Sequence, residues 1–438
     1  MRSLSCLVLL LAVSSAQADM AEHARRAATA GIDVVTYHST VKDVVEIVGA
    51  MPGGDAMSGA GNIAIPTLSG MMLDRGTKSL DKFAISEKLN NVGAQVSFAV
   101  NEQSLEVRAK CLRKDLGMVI GLIASELRTP ALAPAEFAKV KQEFAGAVQS
   151  SSQNTGERAR EAFARAVYPE GHPNRPHAWN EYISAAKSAN LEDVKAFQGK
   201  FYGPKHFTLV LVGDVSDEEA RREIGKAFAG WSGGGDYVHP AQPAKTSKAE
   251  TVPVPLAEKP SVTVILGQAT GLRYKDPDAL ALRVGTAILG RGFTGRLMGT
   301  VREKEGLTYG IGASMGEDSI TDGSWDISAT FAPALLDKGL SSTRRELTKW
   351  WADGVSEEEL NSHREGLIGT YFVGLATTGG IANQLMANLL RGYDVGWLDE
   401  YPKALKALTR AQVNGAIKAH LNPEAMVLVE AGTLPAAK

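Results

Sequence analysis

Leu191–Asp214 reads LEDVKAFQGKFYGPKHFTLVLVGD, and its layout decides the fold. Apolar residues at helical spacing (Leu191, Val194, Phe197, Phe201) lead to a turn at Pro204. An uninterrupted apolar run, Leu209–Val212, follows and reads as a buried strand. The same phrase returns at Arg410–Gly432, RAQVNGAIKAHLNPEAMVLVEAG, with Pro423 in its turn. A second matched pair lies upstream of each. LAPAEFAKVKQEFAGAVQ from Leu132 and VSEEELNSHREGLIGTYF from Val355 both place acidic residues in the first turn of a long helix. Two pairs in the same order describe an internal duplication with a period of about 220 residues, too long for a solenoid.

Working outward, each half repeats strands followed by helices. The first half predicts strands Val34–His38 and Val44–Ala50, helices near Ile63–Asp74 and Leu80–Asn91, and strands Gln95–Val100 and Ser104–Cys111. The second predicts strand Ser261–Gly267, helices Asp278–Leu289 and Thr294–Glu305, and strands Leu307–Ser314 and Ser324–Phe331. Strands grouped ahead of helices favour an antiparallel sheet with helices on one face, so the expected class is α+β with two homologous domains. Between the halves, Gly233–Gly235 and Pro240, Pro243, Pro253, Pro255 and Pro260 accompany few large apolar residues. That composition reads as an extended linker. The expected division is a first domain over 19–238, a Pro-rich linker over 239–258 and a second domain over 259–438.

The first eighteen residues are set apart. Arg2, the apolar run Leu4–Val13 and Ala16-Gln17-Ala18 have the layout of a secretory signal cleaved after Ala18, and the run is too short to span a bilayer. A periplasmic or secreted protein is therefore expected. Of two cysteines, Cys6 lies in that segment, which leaves Cys111 alone as a small core residue on a strand. With 47 basic and 49 acidic residues the chain carries no electrostatic footprint for nucleic acid or a membrane surface.

A catalytic constellation is hard to find from residue types. The eight histidines include no pair at the four-residue spacing of a helical zinc site, and His172 and His177 stand in a loop broken by Pro173 and Pro176. Gly312-Ala313-Ser314-Met315-Gly316 spells the nucleophile-elbow pattern, but a polar turn and an alternating strand follow it where a helix is required. Ser314 is thus expected near a hairpin. The S-x-x-K patterns at Ser79–Lys82 and Ser184–Lys187 lack their companion motifs. Gly290–Gly295 is a glycine-rich turn ahead of a helix, without the lysine of a P-loop.

GRGFTGRLMGTVREKEGLTYGIGASM, Gly290–Met315, resembles the second domain of insulinase/pitrilysin-type metallopeptidases, the group that includes the mitochondrial processing peptidase and its bacterial relatives. The family's R-E-x-x-G-L-x-Y phrase is matched at Arg302–Tyr309, its run after the metal motif at Met71–Thr77, and its H-P-Y-G-R-P loop at Tyr168–Pro176. The likeness covers nearly the whole chain beyond the first eighteen residues. It also fails where zinc would bind. Counting back from Gly76-Thr77, the family's H-x-x-E-H positions fall on Thr67, Gly70 and Met71, and a downstream glutamate ligand would fall near Gly146 or Ala147. None of these side chains holds zinc or activates water.

The resemblance implies a division of labour. In such families an arginine and a tyrosine of the second domain bind the substrate carbonyl and the oxyanion, and in two-chain forms one chain keeps zinc while the other supplies this pair. Arg302 and Tyr309 match them residue by residue. The expectation is two domains facing each other as a clam-shell in a non-catalytic subunit of a heterodimeric zinc endopeptidase. Zinc would sit in an H-x-x-E-H partner chain and none in this one, peptides would be the substrate, and Gly290, Gly292, Phe293 and Thr294 would help bind it. Without the resemblance, an arginine ending a helix and a tyrosine starting a strand are ordinary residues. A binding or scaffold protein that has lost all chemistry is the alternative, with a serine hydrolase using Ser314 behind it.

Overall fold

A computed structural model describes residues 19–236, 243–244 and 248–434. The expected signal segment with Cys6, His239 and Pro240 lie outside the described residues. In the first half, β1 (Ala24–Thr29), β2 (Ile32–His38), β3 (Val44–Pro52), β4 (Gln95–Val100), β5 (Ser104–Leu112) and β6 (Thr208–Gly213) form one sheet in the order β1-β2-β6-β3-β5-β4. In the second, β7 (Glu250–Pro255), β8 (Val262–Ala269), β9 (Thr308–Gly316), β10 (Ser324–Phe331) and β11 (Val427–Gly432) are ordered β7-β11-β8-β10-β9.

The strands of the repeated phrase, β6 and β11, occupy equivalent places. β6 runs parallel to β2 and antiparallel to β3, and β11 runs parallel to β7 and antiparallel to β8. The sheets are therefore mixed, with one parallel pair in each, where the element order pointed to antiparallel pairing throughout. The reason is that the last strand of each half returns from a block of helices and inserts between two earlier strands of its sheet.

Part of the expected linker is structured. Residues 250–255 form β7, paired with β11 from Val427↔Glu250 to Gly432↔Pro255. Pro253 and Pro255 are tolerated because β7 is an edge strand with a single neighbour, so the missing N–H groups leave no second ladder unpaired. Proline content hid this strand from a reading by composition.

The helix starts follow from their caps. Asp81 accepts hydrogen bonds from the backbone N–H groups of Phe83 and Ala84 at 3.0 and 2.8 Å. Ser356 and Glu359 form a reciprocal capping box at the start of Glu357–Gly374. Cys111 is buried on β5, and burial pushes its thiol up to about 12.

Each half has its own core, but neither sheet is covered by its own helices alone. The helix Thr155–Val167 of the first half lays Ala159, Phe163, Ala164 and Val167 on Ile265, Val427, Val429 and Ala431 of the second sheet. Reciprocally, Thr378–Leu390 of the second half lays Ile381, Ala382, Leu385 and Met386 on Val48, Ala50, Val210 and Val212 of the first. Covered on both faces, β8 is buried along its whole length, which is why such strands read as continuous apolar runs. Burial of a large apolar side chain contributes roughly 1.5–3 kcal/mol, so these exchanged helices tie the halves together.

Candidate functional site

The helix Ile65–Met71 carries Thr67, Gly70 and Met71, the positions at which the resemblance puts zinc ligands and a general base. Pro66 sits in its first turn, where a missing N–H costs nothing. Thr67 Oγ1 donates to Asp55 Oδ1 at 2.8 Å. Gly70 packs so closely on β4 that a Cβ added there would collide with Val100 Cγ2, which leaves no room for a glutamate. Met71 packs against the first core. Gly146 and Ala147 are exposed on the helix Pro134–Ser151. Among the described residues no group of three or more His, Cys, Asp or Glu is arranged to hold a metal ion. A hydroxyl spent on an aspartate, a glycine without space and a packed thioether do not fit zinc.

Beside this helix, the seam between the halves is rich in carboxylates. Burial pushes the Asp55 carboxyl up to about 7, with Glu102 adding to the effect. Burial, then Glu102 and Asp326, raise Glu317 to about 7, and burial raises Asp326 to about 6. A cavity of about 520 Å³ opens here, lined by Asp55, Glu102, His172, His177 and Tyr182.

The two loop histidines do different things. His172 is buried, its ring stacked on Tyr168 with centroids 4.3 Å apart. Its Nδ1 accepts from the Asn174 N–H at 3.1 Å, so the proton is on Nε2, which donates to Asp322 Oδ1 at 2.9 Å. Burial opposes the Asp322 charge, yet the bonds from His172 and the Ala244 N–H outweigh it and hold that carboxyl below its usual range. Asn174 completes the clamp: Nδ2 donates to the carbonyls of Glu317 and Asp322 at 2.8 and 3.0 Å, and Oδ1 accepts from Gln103 at 2.7 Å. The loop read as the family's H-P-Y-G-R-P equivalent thus fastens the β9–β10 hairpin of one half to the β4–β5 turn of the other. Asn174, Asp322 and Glu317 were missed by the sequence reading, although Asn174 stands inside the motif quoted for it. His177, half exposed, lies 3.5 Å from Glu181.

Ser314 is on β9 opposite Asp326 in register, with Oγ donating to Asp326 Oδ2 at 3.2 Å. It sits in the middle of a strand ladder, so it is no nucleophile elbow.

The second-half candidates lie together around β9. The helix Ala279–Gly290 ends at Gly290, where a Cβ would collide with the backbone of Ala313 on β9. Gly292 adopts φ +62°, which lets the chain turn back at once. Phe293 and Thr294 are exposed on the short turn Gly292–Thr294, and Phe293 lies under the Arg302 guanidinium, 4.9 Å from its carbon to the ring centre. The sequence predicted a helix over Thr294–Glu305; Met298–Lys304 is π-helical, a rare geometry that concentrates at functional sites. Tyr309 is on β9, the edge strand of its sheet, and is 95% exposed. A tyrosine at a sheet edge usually packs on a neighbour.

Comparison with known proteins agrees with this geometry. Residues 188–367 match the family model described as the peptidase M16 inactive domain. An uncharacterized zinc protease of Rickettsia bellii is 24% identical over 335 residues, 76% of this chain and 79% of that protein. The non-peptidase homolog YmxG of Helicobacter pylori is 20% identical over 381 residues, 85% of each chain. The crystal structure of a peptidase M16 inactive domain from Pseudomonas fluorescens superposes with a TM-score of 0.87 at 23% identity, over 95% of this chain and 99% of that one. The resemblance read from Gly290–Met315 and the two-domain fold are both borne out. Residues 188–367 are thus similar to the peptidase M16 inactive domain, and the chain shares the two-domain fold of the Pseudomonas fluorescens structure.

Proposed function

We propose that the chain is the zinc-less subunit of a heterodimeric zinc endopeptidase, acting in the periplasm or outside the cell. Its partner would be a homologous chain with an intact H-x-x-E-H motif, and that chain would hold the zinc. Arg302 and Tyr309 of this chain would reach the partner's site and donate hydrogen bonds to the carbonyl oxygen of the bound peptide as negative charge develops there. Gly290, Gly292, Phe293 and Thr294 would border the peptide.

The observation that carries this reading is the 95% exposure of Tyr309, on an edge strand within the inactive-domain match. A phenol that packs on nothing in its own chain is suited to a contact outside it. Thr67, Gly70 and Met71 leave the chain without a zinc-activated water of its own. Among the described residues no helix is long and apolar enough to cross a membrane. The description of the H. pylori relative as a non-peptidase homolog equally suits the second reading, a binding or scaffold protein of the same fold.

The test is co-purification. The tagged chain is recovered from its native compartment, and the associated proteins are identified by mass spectrometry and assayed for zinc and peptide cleavage. An H-x-x-E-H chain, with cleavage appearing only in the complex, is expected. Loss of one oxyanion donor lowers turnover by roughly 100- to 1,000-fold, so Arg302→Ala and Tyr309→Phe should each cripple the complex. Unchanged cleavage in both variants refutes their role, and a chain with no such partner is a binding protein.

A further inference from the structure

A groove of about 450 Å³ runs between the helices Glu357–Gly374 and Thr378–Leu390, and its lining carries two arginines, Arg291 and Arg391, with no Asp or Glu among the lining residues. Thr370, Tyr371, Tyr401, Asn383 and Gln384 supply the rest of its polar side chains. Neither arginine has a carboxylate partner among the described ion pairs. Asp318, next in sequence to the Ser319 that Arg391 reaches, is paired with Arg283, and both guanidiniums lie over the Tyr274 ring, at 4.1 Å for Arg283 and 3.7 Å for Arg391. That stack holds Arg391 in place, with Nε also 3.5 Å from Ser319 Oγ. Asn383 accepts from Arg108 at 2.6 Å through its oxygen, which leaves its amide hydrogens for another acceptor. Arg291 belongs to the glycine-rich turn Gly290–Gly295, two residues before Phe293, so the groove continues the candidate site.

Tyr371 and Gln384 donate to Leu398 and Asn388, so it is the two guanidiniums without a carboxylate, beside the Asn383 amide, that mark a place for an anion. Planar guanidiniums pair with carboxylates through two parallel N–H bonds. We propose that this groove binds a carboxylate of the peptide, so that the chain selects acidic segments or a free C-terminus; this rests on the reading that the chain binds peptides. A glutamate of the peptide lying along the Gly290–Gly295 turn would meet Arg291 and Arg391 together, while a neutral peptide would leave both without a partner.

The experiment measures fluorescence anisotropy with the full chain alone, so it does not depend on a partner or on cleavage. The probes are a fluorescein-labelled acidic dodecapeptide with an amidated C-terminus, its Glu→Gln isostere, and the isostere with a free C-terminus. The acidic probe should bind about tenfold more tightly than the amidated isostere, the worth of one charge-assisted hydrogen bond. Arg291→Gln and Arg391→Gln should each erase that preference. Arg291 is exposed, so its variant keeps the test valid even if Arg391→Gln unfolds. Lys226→Gln, an equal loss of charge on the first half, should leave it intact. Tight binding of the free-C-terminus isostere alone, lost in both arginine variants, assigns the groove to the terminal carboxylate. Equal binding of all three probes, no binding of any, or a preference that survives Arg291→Gln overturns the proposal. Should acidic binding persist where no peptidase partner exists, the groove stands and only the subunit reading falls.

Discussion

Phe163→Ala tests whether the exchanged helices hold the two halves as one body. Phe163 belongs to the first half by sequence but is buried among Ile265, Val427, Val429 and Ala431 of the second sheet. Truncating a buried phenylalanine costs about 3–5 kcal/mol, from lost transfer energy and the cavity left behind. That is a large share of the roughly 5–15 kcal/mol that holds most domains folded. At about 1.4 kcal/mol per decade, the loss corresponds to a roughly 100- to 4,000-fold larger open population of whatever unit Phe163 supports. Native-state hydrogen exchange reads this strand by strand. The amides of β8 (Val262–Ala269) and β11 (Val427–Gly432) should lose protection by that factor in Phe163→Ala, although both strands lie far from the change in the chain. The comparison is Phe228→Ala. Phe228 is fully buried in the first core beside Phe207 and Trp231, so its loss should open the first sheet and leave β8 and β11 nearly as protected as before. Unchanged exchange of β8 and β11 in Phe163→Ala, or equal effects of the two variants, refutes the claim that the lent helix is part of the second half's folding unit.

Three further outcomes can be measured. Burial pushes the Glu126 carboxyl, on the helix Leu116–Arg128, up to about 8, while in the unfolded chain it titrates near the ordinary 4.5. The folded state then holds the extra proton, so this group's contribution is complete below the lower value and lost as pH rises through the higher. Glu126→Gln should flatten the fall of Tm between pH 5 and 8, and an unaltered slope in the variant contradicts the assignment. Gly70→Ala should destabilise by about 1–3 kcal/mol because its Cβ meets Val100, and adding Val100→Ala should recover much of the loss in urea melts; additive penalties would show that the two do not touch. Asn174→Ala strands the carbonyls of Glu317 and Asp322 and the Gln103 amide, at about 1–3 kcal/mol by thermal denaturation. A change within a few tenths would mean that water replaces the side chain.

Much of this molecule is local and therefore legible in its sequence. Apolar spacing of 3.6 residues located Leu191–Phe201 and Arg410–His420, and alternation located β4 and β10, because these periods report which side of an element is wet. The duplication followed from order alone, and β6 and β11 do occupy equivalent places. At Thr67, Gly70 and Met71, where the resemblance puts the zinc motif, residue identity was enough, since no conformation gives those side chains a zinc-binding donor set.

What depends on distant residues meeting was decided by tertiary structure. β7 became a strand because β11 offers it an edge on which proline is harmless, which its own composition denies. The faces covered by Thr155–Val167 and Thr378–Leu390 lie on the opposite sheets, so an amphipathic pattern shows that a face is buried but not against what. His172 appeared as a loop histidine until Asp322, 150 residues further on, gave its Nε2 an acceptor. The groove of Arg291 and Arg391 is invisible in a chain whose charges nearly balance. Net charge is a sum over the sequence, whereas a field at a site is set by which charges stand there unpaired, and only folding arranges that.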